Sequence, residues 1–85
     1  MAYKIELKQS AKKEFLALSD ALQNRISHAI DGLCANPRPE GHKPLKGAKN
    51  TFRIRIGDYR VVYEVHAGIL MILIIRIAHR REVYR

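Results

Sequence analysis

The chain has 85 residues, of which 47% are hydrophobic and 28% charged, a composition typical of one small globular domain and not of a disordered segment. Its single cysteine, Cys34, excludes an intramolecular disulfide and a cysteine-rich metal site. The longest apolar run, Ile69–Ile75, is far shorter than the roughly 20 residues of a membrane-spanning helix, and the N-terminus lacks the apolar stretch of a signal peptide. We therefore predict a single domain over residues 1–85 that resides in the cytoplasm and has no membrane partner.

The formal net charge of +8 at pH 7 is distributed unevenly along the chain. Residues 1–40 hold six lysines and arginines against five acidic residues, whereas residues 41–85 hold ten against three, so the second half carries +7. A strongly basic half on a small domain favours a polyanionic partner, with nucleic acid as the first candidate.

The N-terminal part predicts one strand and two helices. Apolar and polar residues alternate over Tyr3–Leu7, which is the period of a strand. We expect Ser10 to cap a first helix that ends near Leu18, because its hydroxyl can accept a free backbone N–H. Asp20 begins a capping-box pattern and so predicts a second helix that ends near Ala35.

Residues 36–50 contain all three prolines and follow no period, so they predict an irregular connection. This connection carries Lys43, Lys46 and Lys49. These lysines suit contact with a phosphate backbone, but they are equally consistent with a solvated loop.

A β-hairpin is the strongest local signal in the sequence. Phe52–Ile56 alternates apolar and basic residues, Gly57-Asp58 suits a two-residue type II′ turn, and Tyr59–Val65 returns. This register places Arg55 opposite Arg60, with Arg53 on the same face. Like charges directly opposite each other destabilise a sheet. Either a bound anion relieves the repulsion, or the side chains are splayed and solvated.

The apolar run Ile69–Ile75 predicts a final strand that is buried on both faces. A short Ala67-Gly68 loop would place Arg60 opposite Ile75, whereas a longer turn would shift this pairing. The predicted fold is therefore α+β, in the order β-α-α-β-β-β. Its two N-terminal helices pack on one face of a mostly antiparallel four-stranded sheet. The arginine face stays open, and the last residues can fold across it.

The remaining reactive groups suit phosphodiester chemistry. The chain has no phosphate-binding glycine loop, no zinc-protease pattern and no Gly-x-Ser-x-Gly, so we expect no metal and no cofactor. A group of cations can stabilise the negative charge that develops as a nucleophile attacks phosphorus. RNA supplies its own nucleophile, the 2′-hydroxyl, so a metal is not obligatory.

Three segments together resemble the RelE/ParE superfamily of toxins of type II toxin–antitoxin systems, and its RelE branch in particular. They are Leu45–Gly47, Phe52–Tyr63 and Ile77–Tyr84. The resemblance spans nearly the whole chain and includes the predicted element order. It implies a ribosome-dependent endoribonuclease, an mRNA interferase, that cuts the A-site codon by 2′-hydroxyl attack and so inhibits translation. The implied partners are a RelB-like antitoxin, the ribosome with its messenger RNA, and operator DNA bound through the antitoxin complex.

The resemblance also implies residue roles. Arg53 and Arg55 match the paired basic residues of the second strand, and Arg60 matches the phosphate-binding arginine. Arg80 matches the arginine that assists the leaving group, and Tyr84 matches the tyrosine that stacks on the substrate base. Contacts to RNA or to the ribosome are expected from four further cations: Lys43, Lys46, Lys49 and Arg81.

One departure from the family concerns the general base. Better-known RelE members carry lysines where this chain has Arg53 and Arg55, and arginine keeps its proton too firmly to act as a base. Glu64 and His79 are the candidate replacements, since Glu64 shares the predicted arginine face and His79 lies near it.

Two other functions are compatible with the resemblance. A ParE-like inhibitor of DNA gyrase would bind its target without nuclease activity and would not need the arginine group. A degenerate toxin would only bind antitoxin and operator DNA.

Overall fold

The computed structural model describes residues 2–83, with the side chains of residues 82 and 83 left out, so Tyr84 lies outside the described residues. Its helices are α1 (Gln9–Leu16), α2 (Asp20–Ala35) and the short α3 (Arg80–Val83). Its strands are β1 (Lys4–Leu7), β2 (Lys43–Pro44), β3 (Thr51–Ile56), β4 (Tyr59–His66) and β5 (Met71–His79). A 3-10 turn, Ala67–Ile69, joins β4 to β5.

The predicted α+β class is confirmed, but the sheet has five strands where four were predicted. Their spatial order is β1-β5-β4-β3-β2, with β1 parallel to β5 and the other neighbours antiparallel. The additional strand, β2, lies in the connection that was predicted to be irregular. It pairs Lys43 with Arg53 and Pro44 with Phe52, and two residues are too few for a period to be visible in the sequence.

Both predicted helix caps are wrong by one or two residues. Ser10 lies inside α1, whose N-cap is Lys8 and has no side-chain cap. The N–H of Lys8 still donates to the Ile74 carbonyl at 2.9 Å, so the chain leaves the sheet and enters the helix at once. In α2 the cap is Ser19, whose Oγ accepts the Leu22 N–H at 3.3 Å. Asp20 follows in the first turn, where its charge complements the helix dipole.

The core lies between the helices and one face of the sheet. The α2 stripe Ile26, Ile30 and Leu33 is buried, and it belongs to one cluster with alternate residues of β3, β4 and β5. Tyr63 is fully buried in this cluster, and its hydroxyl donates to the Pro37 carbonyl at 2.7 Å. This hydrogen bond attaches the start of the 36–42 connection to the core. Burial of the Tyr63 side chain raises its pKa to about 12.

The predicted pairing of the last two strands is wrong. The 3-10 turn and Leu70, with φ of 50°, place His66 opposite Met71. A β-bulge between Val62 and Tyr63 then shifts the register, so that Arg60 pairs with Ala78 and not with Ile75. The residue types in this part of the sequence indicate neither the length of the loop nor the position of the bulge, so the register could not be predicted from them.

The prediction that β5 is buried on both faces is also wrong. Ile72, Ile74 and Ile77 are buried against the helices, whereas Leu73 is only half-buried on the opposite face. Ile69 belongs to the 3-10 turn and is 70% exposed. Among residues 2–83, no helix is both long and apolar enough to cross a membrane.

Candidate nucleic-acid interface

The β3–β4 hairpin has the predicted register. Gly57 has φ of 60°, which permits the tight two-residue turn. This turn sets the register of all the residue pairs between β3 and β4. Arg55 is directly opposite Arg60, and Arg53 is directly opposite Val62. Because paired residues of neighbouring strands share a face, these three arginines lie on the face that α1 and α2 leave uncovered.

Two rows of side chains run across this face at the end near the hairpin turn. The first row holds Arg55, Arg60 and Ala78. The second row crosses four strands and holds Lys43, Arg53, Val62 and Arg76. Lys43 therefore lies beside Arg53 because β2 pairs with β3, a placement that the sequence did not reveal.

Four of these cations surround one open concavity of about 150 Å³. It is lined by Gly41, Lys43, Arg53, Ile54, Arg55 and Arg60. The small residue Gly41 has φ of 89° and brings the backbone before β2 to the rim. The basic side chains of three strands are thus gathered around a space that is open to solvent.

Arg60 lies half-buried among like charges. Its Nη1 atom is buried and has no hydrogen-bond partner among the described residues. Its pKa is lowered by burial first, then by the positive charges of Arg55, Arg53 and Arg80, while Asp58 opposes the shift. A guanidinium with an unused donor and like-charged neighbours favours an anion, and its planar fork matches the oxygens of a phosphate.

Arg80 approaches the same group from the short helix α3. Its backbone N–H donates to the carbonyl of Asp58 in the hairpin turn at 2.7 Å. Its charge is close enough to lower the pKa of Arg60. The structure therefore brings Arg80 close to Arg60, and both Arg80 and Arg81 are exposed on α3.

Glu64 is on the uncovered face but outside the basic group. It lies four residues along β4 from Arg60, which corresponds to about 13 Å in an extended strand. Its carboxylate is 2.9 Å from Nε2 of His66. Leu73 and Glu6 are its row neighbours across β5 and β1, so this row is acidic and apolar where the two rows near the hairpin turn are basic.

His79 lies on the face opposite the arginines. It pairs with Tyr59, and the two rings meet edge-to-face with centroids 5.5 Å apart. Both rings line a concavity of about 240 Å³ beside Glu14 and Leu18 of the helical layer. The bulge explains the difference from the prediction, because a one-residue shift in register turns every later side chain to the other face.

The loop lysines separate into two groups. Lys43 lines the basic concavity, whereas Lys46 and Lys49 are exposed in the turns between β2 and β3. These turns precede Thr51, at the end of β3 that is remote from Arg55 and the hairpin turn. In the part of the chain that the structure describes, no three His, Cys, Asp or Glu side chains form a group that could hold a metal ion.

Two solved structures share this fold over nearly their whole length. A chain of the archaeal RelE–RelB complex from Pyrococcus horikoshii OT3 matches with a TM-score of 0.84 and 28% identity, covering 96% of this chain and 99% of that one. The isolated Escherichia coli RelE toxin matches with a TM-score of 0.83 and 25% identity, covering 98% of this chain and 92% of that one.

Sequence comparisons give relatives of the same kind. A RelE-like toxin protein of Escherichia coli is 28% identical over 84 residues, which cover 96% of this chain and 87% of that protein. The RelE1 toxin of Methanocaldococcus jannaschii is 30% identical over 88 residues, which cover 100% of this chain and 98% of that protein. A sequence model of the ParE toxin of the type II toxin-antitoxin system parDE matches residues 5–84. The chain therefore belongs to the RelE/ParE superfamily of toxins of type II toxin–antitoxin systems.

Proposed function

We propose that this toxin is an mRNA interferase, a metal-independent endoribonuclease that cleaves messenger RNA in the ribosomal A site and inhibits translation in the cytoplasm. One observation carries the proposal. Cations from three neighbouring strands line a single open concavity, and one of them, Arg60, has a buried guanidinium nitrogen without a hydrogen-bond partner. RelE-like proteins are among the relatives in both sequence and structure.

The arrangement suits phosphoryl chemistry because it concentrates fixed positive charge where negative charge would develop. As the 2′-hydroxyl attacks the adjacent phosphorus, the non-bridging oxygens gain charge, and arginine donors already aimed at them stabilise that state. Arg60 would hold the scissile phosphate, with Arg53 and Arg55 beside it. Arg80 would stabilise the leaving 5′-oxygen from the α3 side. Tyr84, the expected base-stacking residue, follows directly after α3 in the sequence.

The proposal assigns no general base within the basic group. Arginine retains its proton at all physiological pH values, Glu64 is about 13 Å away along β4, and His79 lies on the other face. Catalysis by the described residues would therefore be electrostatic, through charge stabilisation and orientation of the phosphodiester. Water would accept the 2′-hydroxyl proton as the bond to phosphorus forms and would protonate the 5′-oxygen as its bond to phosphorus breaks.

Charge along the uncovered face supports a path for the RNA backbone. The two basic rows run across the strands, and the next row carries Glu64 and Glu6, which repel phosphate. A nucleic-acid backbone would thus cross β2, β3 and β4 near the hairpin turn instead of following one strand. The lysines of the β2–β3 turns, Lys46 and Lys49, and Arg81 on α3 would remain for contacts with the ribosome or more distant nucleotides.

A RelB-like antitoxin is the proposed protein partner, with operator DNA bound through that complex. The Pyrococcus horikoshii relative was solved as a complex with RelB, and the intact RelBE toxin-antitoxin complex of Escherichia coli also shares the fold. An inhibitor of this face would need acidic groups for the basic rows and apolar groups for Leu73 and Met71 beyond them.

The test is cleavage of a defined message on programmed ribosomes. Addition of the toxin should produce cuts within the A-site codon, with 2′,3′-cyclic phosphate ends that mark attack by the 2′-hydroxyl. An intact message at saturating toxin would overturn the proposal.

A second candidate, inhibition of DNA gyrase, is favoured by the match to the ParE toxin model. It requires no convergent arginines. A supercoiling assay separates the two functions: inhibition of gyrase together with an intact ribosomal message would assign the chain to this activity.

A further inference from the structure

The imidazole of His79 accepts a hydrogen bond from the backbone of the helix that follows β5. His79 is the last residue of β5, and the next residue begins α3. Its Nδ1 atom lies 3.3 Å from the backbone nitrogen of Arg81 and accepts that N–H. The first N–H groups of a helix have no partner inside the helix, so a side-chain acceptor at this position acts as an N-cap.

This hydrogen bond defines the chemical state of the ring. An imidazole nitrogen that accepts an N–H carries no proton, so the remaining proton of neutral His79 is on Nε2. Tyr59 holds the ring edge-to-face at a centroid distance of 5.5 Å, and the ring faces the concavity beside Glu14. Tyr59 thus orients the imidazole ring from the covered side of the sheet, while Nδ1 accepts the hydrogen bond from α3.

The neighbouring amide is fixed as well. The N–H of Arg80 donates to the Asp58 carbonyl in the hairpin turn, so two consecutive amides of α3 are tied to the rest of the protein. The first tie attaches α3 to the turn that carries Arg55 and Arg60 at its two sides. The second tie, from His79, sets the direction in which the helical turn leaves β5.

From this geometry we propose that His79 is a positioning residue, which caps α3 from the covered side of the sheet and thereby holds Arg80 at the hairpin turn that carries Arg55 and Arg60. The inference rests on the proposed function for its catalytic consequence, but the cap itself is a separate property of the free toxin. His79 never touches the RNA in this account, and it transfers no proton.

Two substitutions separate capping from packing. His79→Phe keeps an aromatic ring against Tyr59 and removes the acceptor. His79→Asn shortens the side chain and keeps an oxygen that can cap the helix, since asparagine is among the best N-cap residues. His28→Phe, at an exposed position of α2, is the matched control for replacing a histidine by phenylalanine.

The cap is measured first, in the free protein by NMR. The ring nitrogen shifts of His79 in the wild type should identify an unprotonated Nδ1 and a protonated Nε2. Exchange of the Arg81 amide should rise about fivefold in His79→Phe, as expected for loss of one hydrogen bond, and stay near the wild-type rate in His79→Asn and His28→Phe. A protonated Nδ1, or an exchange rate of the Arg81 amide that is unchanged in His79→Phe, would overturn the cap regardless of the result of the cleavage assay.

Cleavage then tests the positioning role. His79→Phe should slow message cleavage about fivefold, which corresponds to the roughly 1 kcal/mol that a cap is worth, and His79→Asn should restore most of the rate. In an Arg80→Ala background His79→Phe should have little further effect, since residues that act through one another are not additive. Equal defects in the Phe and Asn variants, or an undiminished defect without Arg80, would contradict positioning through Arg80.

The two proposals fail in different ways. A wild-type toxin that cleaves no message but shows the expected Nδ1 state and Arg81 exchange would remove the proposed nuclease function and leave the cap standing. A wild-type toxin that cleaves the message but has an uncapped Arg81 amide would remove the cap and leave the proposed nuclease function standing.

Discussion

Arg60 illustrates at the scale of one residue how the site proposed for RNA reduces the stability of the fold. Arg60 pairs directly with Arg55 across the hairpin, its Nη1 has no partner among the residues described, and its pKa is lowered by burial and by its arginine neighbours. All of these oppose folding of the unliganded protein, and all are relieved when an anion is bound.

We therefore expect Arg60→Met to stabilise the toxin while abolishing cleavage. Methionine retains most of the apolar stem of Arg60 and removes the cross-strand repulsion, so the free energy of unfolding should rise by up to about 1 kcal/mol. Urea titration of the wild type and the variant measures the change, with Lys12→Met on the exposed side of α1 as the control. A clear loss of stability in Arg60→Met would mean that the guanidinium supports the fold.

At the scale of elements, Glu14 of α1 completes the edge of β5 where β1 stops. The last β1–β5 pair is Leu7 with Ile74. Beyond it, Oε1 of Glu14 accepts the Ile77 N–H at 2.8 Å, and Oε2 lies 3.4 Å from Nε of Arg76. A helix side chain thus substitutes for the missing strand behind the basic rows.

Removing this carboxylate should destabilise the fold. Glu14→Ala leaves the Ile77 amide without its acceptor and should cost about 1–3 kcal/mol, whereas Glu14→Gln keeps an acceptor and should cost less. Thermal unfolding of both variants measures the difference. Identical melting of Glu14→Ala and wild type would show that solvent satisfies the Ile77 amide without help.

The connection that carries β2 is attached to the core by the Tyr63 hydroxyl, which donates to the Pro37 carbonyl only while it is protonated. The pKa of Tyr63 is raised by burial to about 12 in the folded protein, so the unfolded chain releases this proton first as the pH rises. Stability from the protonated hydroxyl is complete below about pH 10 and is lost between about pH 10 and 12, by some 2–3 kcal/mol.

Tyr63→Phe separates this loss from the titration of other groups. The variant should be less stable by about 1 kcal/mol at neutral pH, because the Pro37 carbonyl loses its donor, and its unfolding free energy should fall less steeply above pH 10. Parallel pH profiles for the two proteins would contradict the assignment.

The elements also show which parts of the fold the sequence can predict. The hairpin register followed from Gly57-Asp58 because a two-residue turn allows one pairing only. The β4–β5 register did not follow, since a four-residue connection and a bulge replaced the simpler loop, and this change moved His79 to the covered face. The two residues of β2 are too few to show a period, so the alignment of Lys43 with Arg53 emerged from the structure alone.

At the scale of the whole molecule, the uncovered face has a basic end near the hairpin turn, which is followed by an acidic and apolar row through Glu64, Leu73 and Glu6. Binding of RNA to the basic end should release counterions, so affinity should fall with salt. Arg53→Ala and Arg55→Ala should each reduce the slope of log affinity against log salt by about 1, as expected for loss of one phosphate contact. Fluorescence anisotropy with a short RNA measures this, and Lys12→Ala should leave the slope unchanged.

The most direct test of the account is the single-turnover rate of A-site cleavage on programmed ribosomes, compared between wild type, Arg60→Ala and Lys12→Ala. The two variants lose the same charge at different places. We expect Arg60→Ala to cleave at least about 100-fold more slowly, the effect of removing a donor aimed at transition-state charge, while Lys12→Ala cleaves at the wild-type rate. Equal rates for wild type and Arg60→Ala would contradict the claim that the convergent arginines carry out the chemistry.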